Sequence, residues 1–266
     1  GGLNNDWDLS CLVINLLFNQ IEKPPVYRSK DPWEQYKETI SKCDVGAMGD
    51  FLRSTPKPLT AMLQRVGKTK NAFIYGLYAG DVGSGNIIKQ IFQEVYLGVE
   101  LFESTYDRRP QFYQNEGLIH REQLLVEKRL LKELAGKHLL AIATGRPRAE
   151  ADYPLKHFDI GSYFSKVLAL EDCLEEEERV LSSKGATVSL SKPHPYMLDA
   201  IAAQIGSPAA AYYYIGDMPD DMEAARRSST GYKGIGMFVS APDKARLKDD
   251  LTRAGADSVV ENFSQL

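Results

Sequence analysis

Cysteine is scarce: Cys11, Cys43 and Cys173 are the three in 266 residues, and no two of them form a Cys-x-x-Cys pair. That count and spacing argue against a disulfide framework or a cysteine-built zinc cluster and imply a reducing, cytoplasmic compartment. Histidine is as thin. His120, His138, His157 and His194 show neither HxxxH nor HExxH spacing, so a histidine-bound zinc site is not indicated. Long apolar runs are missing as well. The most apolar early stretch, residues 12–18, falls well short of the roughly 20 residues that span a bilayer. An excess of positive charge is also lacking. Lys plus Arg is 32 and Asp plus Glu is 36, a formal charge of −4, which leaves no field for gathering nucleic acid or anionic lipid. The opening Gly-Gly-Leu-Asn-Asn carries no basic region, so no signal peptide is visible.

What is present divides into two textures. Residues 1–136 read as helices joined by short loops. Asn4, Asn5 and Asp6 suit the start of a helix with Leu9, Leu12, Val13, Leu16 and Leu17 on one face. Further helices are expected from Pro32 to Ser41, from Val45 to Arg53, from Pro58, from Asn86 to Tyr96 and from Arg121 to Leu134. Residues 137–266 change period. Short apolar runs at 138–144, 166–170, 211–216, 234–239 and 258–260 read as buried strands, with helices at 148–157, 195–205, 218–227 and 243–254. Strands alternating with helices imply an α/β domain built on a parallel, Rossmann-like sheet. Glu175 to Glu178 read as a solvated acidic run, and residues 184–191 as an exposed loop.

In such sheets ligands bind beyond the carboxyl ends of the strands. Two strand-end sequences and one helix-start sequence stand out. Thr144-Gly145-Arg146-Pro147 offers a hydroxyl, a close-approaching glycine N–H and a helix start, which together suit an anion. In Ser191-Lys192-Pro193-His194-Pro195, two prolines hold the backbone around one lysine; an ammonium there is either a surface charge or a point charge aimed at a phosphoryl oxygen. Gly216-Asp217-Met218-Pro219-Asp220-Asp221 crowds three acids at a strand tip. Asp217 and Asp221 can point the same way, and their hard oxygens suit Mg²⁺; Asp220 reads as a helix-dipole acid.

Taken in this order, Thr-Gly, then Lys-Pro, then Gly-Asp-x-x-x-Asp resemble the second, third and fourth motifs of the haloacid dehalogenase superfamily, over residues 137–266. The spelling Ala-Thr-Gly-Arg-Pro, Lys-Pro-x-Pro and Gly-Asp-x-x-Asp-Asp looks like its histidinol-phosphatase or imidazoleglycerol-phosphate-dehydratase-like subgroup, within subfamily IA. The resemblance implies a haloacid dehalogenase core at 137–266 and a separate all-helical cap at 1–136. It implies a Mg²⁺-dependent phosphatase acting on a small phosphorylated metabolite through an aspartyl phosphate. Thr144, Gly145, Arg146 and Lys192 would then bind phosphate, with Thr144 and Lys192 catalytic, and Asp217 and Asp221 would hold the metal.

The family's first motif is an apolar strand ending in Asp-x-Asp. Asp6-Trp7-Asp8 matches on paper, yet its surroundings read as a helix start, so Asp6 and Asp8 are expected to complement a helix dipole. The resemblance places Gly1 to Trp7 at the beginning of the cap, with the nucleophile strand not evident in this sequence. The alternative is a non-catalytic phosphate- and metal-binding regulatory module. Residues 80–86, rich in glycine, read as a turn capping the helix at Asn86 or as a substrate loop.

Overall fold

The computed structural model describes residues 6–21, 27–55, 58–66, 79–205, 211–239 and 241–266. The expected capping by Asn4 and Asn5 lies outside them. The chain forms two compact units, Asn5–Arg121 and Glu122–Leu266. The division falls earlier than residue 136, so the last helix of the first texture goes with the second unit.

The described residues of the first unit are helical: α1 (Asp6–Phe18), α2 (Pro32–Ile40), α3 (Val45–Ser54), α4 (Pro58–Val66) and α5 (Ile87–Tyr106), then a 3₁₀ turn at Leu118–Arg121. Three of the starts are written in the sequence. The carboxylates of Asp31 and Asp44 accept from Glu34 N and Ala47 N, and the Asn86 side chain accepts from Lys89 N. Residues 80–86 are thus the capping turn, pinned further by an Asp81–Lys89 ion pair of 2.7 Å. α5 runs ten residues past the expected end at Tyr96. Gly98 does interrupt it, with φ 72° and ψ −178°, and the helix resumes beyond. The interruption brings Gly98 against Gly117, where an added Cβ would lie 2.2 Å from the Gly117 nitrogen.

The unit is locked by one buried charge. Glu94 on α5 is fully buried, and its carboxylate accepts from the N–H groups of Gln111 (2.9 Å), Phe112 (2.6 Å) and Tyr113 (3.0 Å). Gln90 donates to the same carboxylate at 2.9 Å and accepts from Gly83 N at 3.2 Å, so both loops flanking α5 are tied to it. The carboxamide of Glu94→Gln would turn a donor toward those N–H groups. The variant is expected to lose about 2–3 kcal/mol of stability, read as a lower urea midpoint with unchanged slope.

The second unit carries α6 (Lys128–Ala135), β1 (Leu140–Ala143), α7 (Arg148–His157), β2 (Phe164–Leu168), α8 (Leu170–Lys184), α9 (Tyr196–Ile205), β3 (Tyr213–Gly216), α10 (Pro219–Arg227), β4 (Lys233–Met237), α11 (Lys244–Ala254) and β5 (Ser258–Val260). All five expected strands form, and every pairing is parallel. The pairing itself differs from a single sheet. Among the described residues β1 joins β2, and β3, β4 and β5 form a separate ladder. β1 and β3 share no main-chain ladder; a side chain links them, the Tyr214 hydroxyl on Ala143 O at 3.2 Å. The core lies on α8 and α9, where Leu168, Cys173, Leu190, Met197 and Ile201 pack together, and under α10 and α11. There Gly234 and Gly236 of β4 leave room for Met222, Ala225 and Leu251.

α8 is the element that the sequence reading left out. Its acidic run is exposed or half-buried, as a solvated face should be, but Leu170, Cys173 and Glu177 fall on one helical stripe. Cys173 and Glu177 turn inward to Leu190: the thiol donates to Leu190 O and the carboxylate accepts from Leu190 N at 2.7 Å. The missing helix therefore sets the chain two residues before Lys192.

Candidate anion and metal site

Every candidate residue of the site belongs to the second unit. The turn after β1 is held from the β2 side. Thr144 N donates to Leu168 O (3.0 Å), extending the ladder by one bond, and Leu170 N donates to Arg146 O (2.9 Å). Arg148, at the start of α7, gives its N–H to Glu171 (2.7 Å) and its guanidinium to Asp172. Thr144 Oγ1 accepts from Arg146 N at 3.2 Å, so the hydroxyl caps its own turn. The Arg146 guanidinium pairs with Glu122 at 2.9 Å; both groups are partly exposed, and such a pair is worth only about 0–1 kcal/mol.

Lys192 sits on a turn closed by His194 N to Ser191 O (3.0 Å), and the His194 ring then accepts from Tyr196 N at the start of α9 (3.1 Å). Its ammonium lies 2.5 Å from Asp221 Oδ1 and 3.2 Å from the Tyr214 hydroxyl. Tyr214 is also 3.0 Å from Asp221 Oδ1. Burial by itself would lower the lysine pKa; Tyr214 and Asp221 outweigh it and hold the ammonium charged well above the usual lysine range. The Tyr214 phenol is pushed up, first by burial and then by the Asp221 charge, against the opposing pull of Lys192.

The two acids expected to act alike do not. Asp221 is 2% exposed and fully engaged: Oδ1 with Lys192 and Tyr214, Oδ2 with Met218 N at 3.0 Å. The last contact is the helix-start geometry in which a third-position acid reaches back to the capping residue's N–H. Asp217, just past the tip of β3, has its pKa raised by burial first and by the Asp221 charge second, against the weaker pull of Lys192 and Arg146. Its carboxylate accepts from its own backbone N–H. Among the described residues no group of three or more His, Cys, Asp and Glu side chains is arranged to hold a metal. The donor set fits Mg²⁺ through Asp217, since that ion is commonly bound by one or two carboxylates with waters and substrate phosphate. Asp221 would have to give up Lys192 to join it. Asp220 is raised by burial and by Glu223, and stays at the helix start as expected.

The fold thus pairs Lys192 with Asp221 and leaves Asp217 under the electrostatic influence of both, while Thr144 follows Ala143, whose carbonyl accepts from the Tyr214 hydroxyl. Asp6 opens α1 of the other unit, as a helix-start acid should. Tyr214 and Glu177 were not singled out in the sequence. A signal for Tyr214 was there: two positions before Gly216, it shares that face of β3. The first unit also holds a pocket of about 290 Å³, lined by apolar residues such as Ile14, Ile88, Phe92 and Val95, with none of the candidate residues in it.

The order of these strand-end groups can now be compared with known proteins. Residues 125–235 match the haloacid dehalogenase-like hydrolase family. The match supports hydrolase chemistry at the level of that family. No curated protein matches the sequence. Among solved structures, the X-ray structure of a Northeast Structural Genomics Consortium target, ZR25, is similar over 99% of this chain and 78% of that chain, at 20% identity and a TM-score of 0.60. A putative phosphatase from Clostridium difficile is 14% identical over 98% of this chain and 90% of that one, with a TM-score of 0.49. A putative beta-phosphoglucomutase from Thermotoga maritima is 17% identical over 84% and 82%, with a TM-score of 0.46. At these identities the likeness concerns the fold alone, an α/β arrangement with parallel strands. No helix among the described residues is long and apolar enough to cross a membrane.

Gly216 is the position on which the site's packing turns. A Cβ there would lie 2.4 Å from the Asp221 Cβ and 2.5 Å from its carboxyl carbon. Gly216→Ala is expected to cost about 1–3 kcal/mol, the range of an overpacked core, and to displace Asp221 from Lys192. Thermal unfolding together with a crystal structure of the variant checks both; an unshifted melting point would remove the close approach from the argument.

Proposed function

We propose that the second unit is a Mg²⁺-dependent phosphate-monoester site of the haloacid dehalogenase type, acting on a small phosphorylated metabolite. The observation that carries this reading is the buried Lys192–Asp221 ion pair, whose Tyr214 neighbour also reaches the Ala143 carbonyl just before Thr144 and whose Asp221 charge acts on Asp217, within the segment that matches the family. The finer resemblance to the histidinol-phosphatase-like subgroup belongs to the same proposal, as do the cap role of the helical unit and a cytoplasmic location.

Each residue has a task on this reading. The Gly145 N–H and the Thr144 hydroxyl take phosphoryl oxygens, for which Thr144 rotates away from Arg146 N. Lys192 supplies a fixed positive charge beside the anion, already oriented by Asp221, so that little reorganisation accompanies charge build-up. Asp217 would hold the Mg²⁺, which supplies charge neutralisation to the phosphate when bound. Arg146 can leave its weak pair with Glu122 for the anion. Water replaces the alcohol on phosphorus over the reaction; the nucleophile is not assigned to any described residue.

A second reading, a phosphate- and metal-binding regulatory module, is favoured by one observation: among the described residues the site has no cluster of three metal-holding side chains. One experiment separates the two. Mg²⁺ with inorganic phosphate is expected to raise the thermal midpoint of the chain, and Asp217→Asn and Lys192→Met are each expected to abolish the rise. Release of phosphate from p-nitrophenyl phosphate, lost in both variants, supports the hydrolase; the same thermal response without release supports the binding module. A rise that persists undiminished in Asp217→Asn removes the metal assignment.

A further inference from the structure

α7 and α8 each follow a β-strand, and neither is capped by the residue before it. Pro147 and Ala169 make no side-chain hydrogen bond to their helices, although the first N–H groups of a helix have no partner within it. The two starts supply one another instead. Arg148 N, the first of α7, donates to the Glu171 carboxylate of α8 at 2.7 Å. Asp172 of α8 accepts from Ala169 N at 2.7 Å, and the same oxygen accepts from the Arg148 guanidinium. Another guanidinium nitrogen donates to Val167 O of β2 at 3.0 Å.

Arginine is an unfavourable residue for the first position of a helix, where the dipole end is already positive. Its charge is met by Asp172 on the neighbouring helix, so this side chain answers to a tertiary contact and not to α7. The planar fork of a guanidinium serves a carboxylate and a carbonyl at once in a fixed geometry; an ammonium has no such fork. What the clasp holds is the stretch between β1 and α7. Residues 144–147 form neither helix nor strand. Thr144 N on Leu168 O and Leu170 N on Arg146 O pin that stretch to the same β2–α8 junction. Arg148 fixes its far end, three residues after Gly145.

We propose that Arg148 is a positioning residue of the anion site: by clasping the start of α8 through Asp172 and β2 through Val167, it sets where Thr144 and Gly145 present their donors to a phosphate. The inference rests on the anion-site reading given above and deepens it, since it assigns a role to a residue that holds the turn from behind.

Arg148→Met removes both side-chain bonds and keeps the backbone N–H for Glu171. Asp172→Ala removes the other half of the clasp. Charge acting through space predicts opposite effects for the two, because one variant loses a cation and the other an anion. Positioning predicts the same effect for both. Two measurements on the full chain read the result: the affinity for inorganic phosphate in the presence of Mg²⁺, by calorimetry, and the Gly145 amide NMR signal without any anion, assigned by its loss in Gly145→Ala. In each variant the affinity is expected to weaken by about tenfold, the size of one hydrogen bond to a charged group, with the Gly145 signal displaced. Phosphate bound by Asp172→Ala as tightly as by the wild type, or more tightly, overturns the proposal, and so does a Gly145 signal that stays in place in Arg148→Met. If the wild-type chain binds no phosphate, the anion-site reading falls on its own, and the Gly145 signal still decides whether Arg148 sets the turn. Should Arg148→Met unfold, Arg148→Lys, which keeps the charge and lacks the fork, is put through the same two measurements.

Discussion

The ion pair of Lys192 with Asp221 is the constraint on which the rest of the site depends. Its two side chains are 22% and 3% exposed, so both charges have largely left water. Attraction between two such groups does not repay that loss unless their remaining hydrogen-bonding capacity is met. Here it is met from two further places: Tyr214 serves both partners, and Met218 N–H serves the second carboxylate oxygen. Removing either charge would leave the other buried and alone, a cost of about 3–5 kcal/mol. The turn at Lys192, the tip of β3 and the first turn of α10 are therefore held in one arrangement. Glycine at 216 follows from it, because the Asp221 side chain occupies the space a Cβ would need.

The strand ends were legible in the sequence because two simple signals agree there. A short apolar run sets the strand, and a glycine or proline with one polar residue marks where it stops. Thr144 and Asp217 were found that way, and Lys192 by the two prolines around it at a helix start. The pairing of Asp221 with Asp217 as twin metal ligands came from spacing alone. Spacing could not say that the first turn of a helix would fold Asp221 back onto Met218 N, with its other oxygen left for Lys192. α8 was lost for a related reason. Four consecutive glutamates read as surface, which hid that one of them, Glu177, lies on the inward stripe with Leu170 and Cys173. Periodicity also reports whether a strand exists, not which neighbour it pairs with. Periodicity therefore left the grouping of the strands open, and Tyr214 was passed over.

The helical unit uses the same physics without a second charged partner. Glu94 is as buried as Asp221, yet its carboxylate is satisfied by three consecutive backbone N–H groups and a carboxamide. Those N–H groups belong to a loop with no helix or strand partners of its own, so each side supplies what the other lacks. The carboxylate orders the loop from 111 to 113, and through Gln90 it reaches Gly83 in the turn before α5. A glycine-rich turn that reads as flexible in sequence is thereby fastened at its centre as well as at its ends, by the Asn86 cap and the Asp81–Lys89 pair.

Charge balance separates the roles of the two acids more sharply than distance does. With Asp221 committed to Lys192, the site's one buried ammonium is already neutralised. Asp217 is then a carboxylate whose ionisation is opposed by burial and by the Asp221 charge, as its raised pKa records. A phosphate entering beside it would add negative charge to a place that already disfavours one. Two sources of positive charge are open. Arg146 is close enough to act on Asp217 and makes a partly exposed pair with Glu122. A divalent cation on Asp217 is the other, and it relieves both the carboxylate and the phosphate, whereas Arg146 starts from the side of the β1 turn. On the proposed anion-site reading, the pair that aims Lys192 also leaves Asp217 without a lysine of its own, and a cation there would meet the negative charge that a phosphate adds.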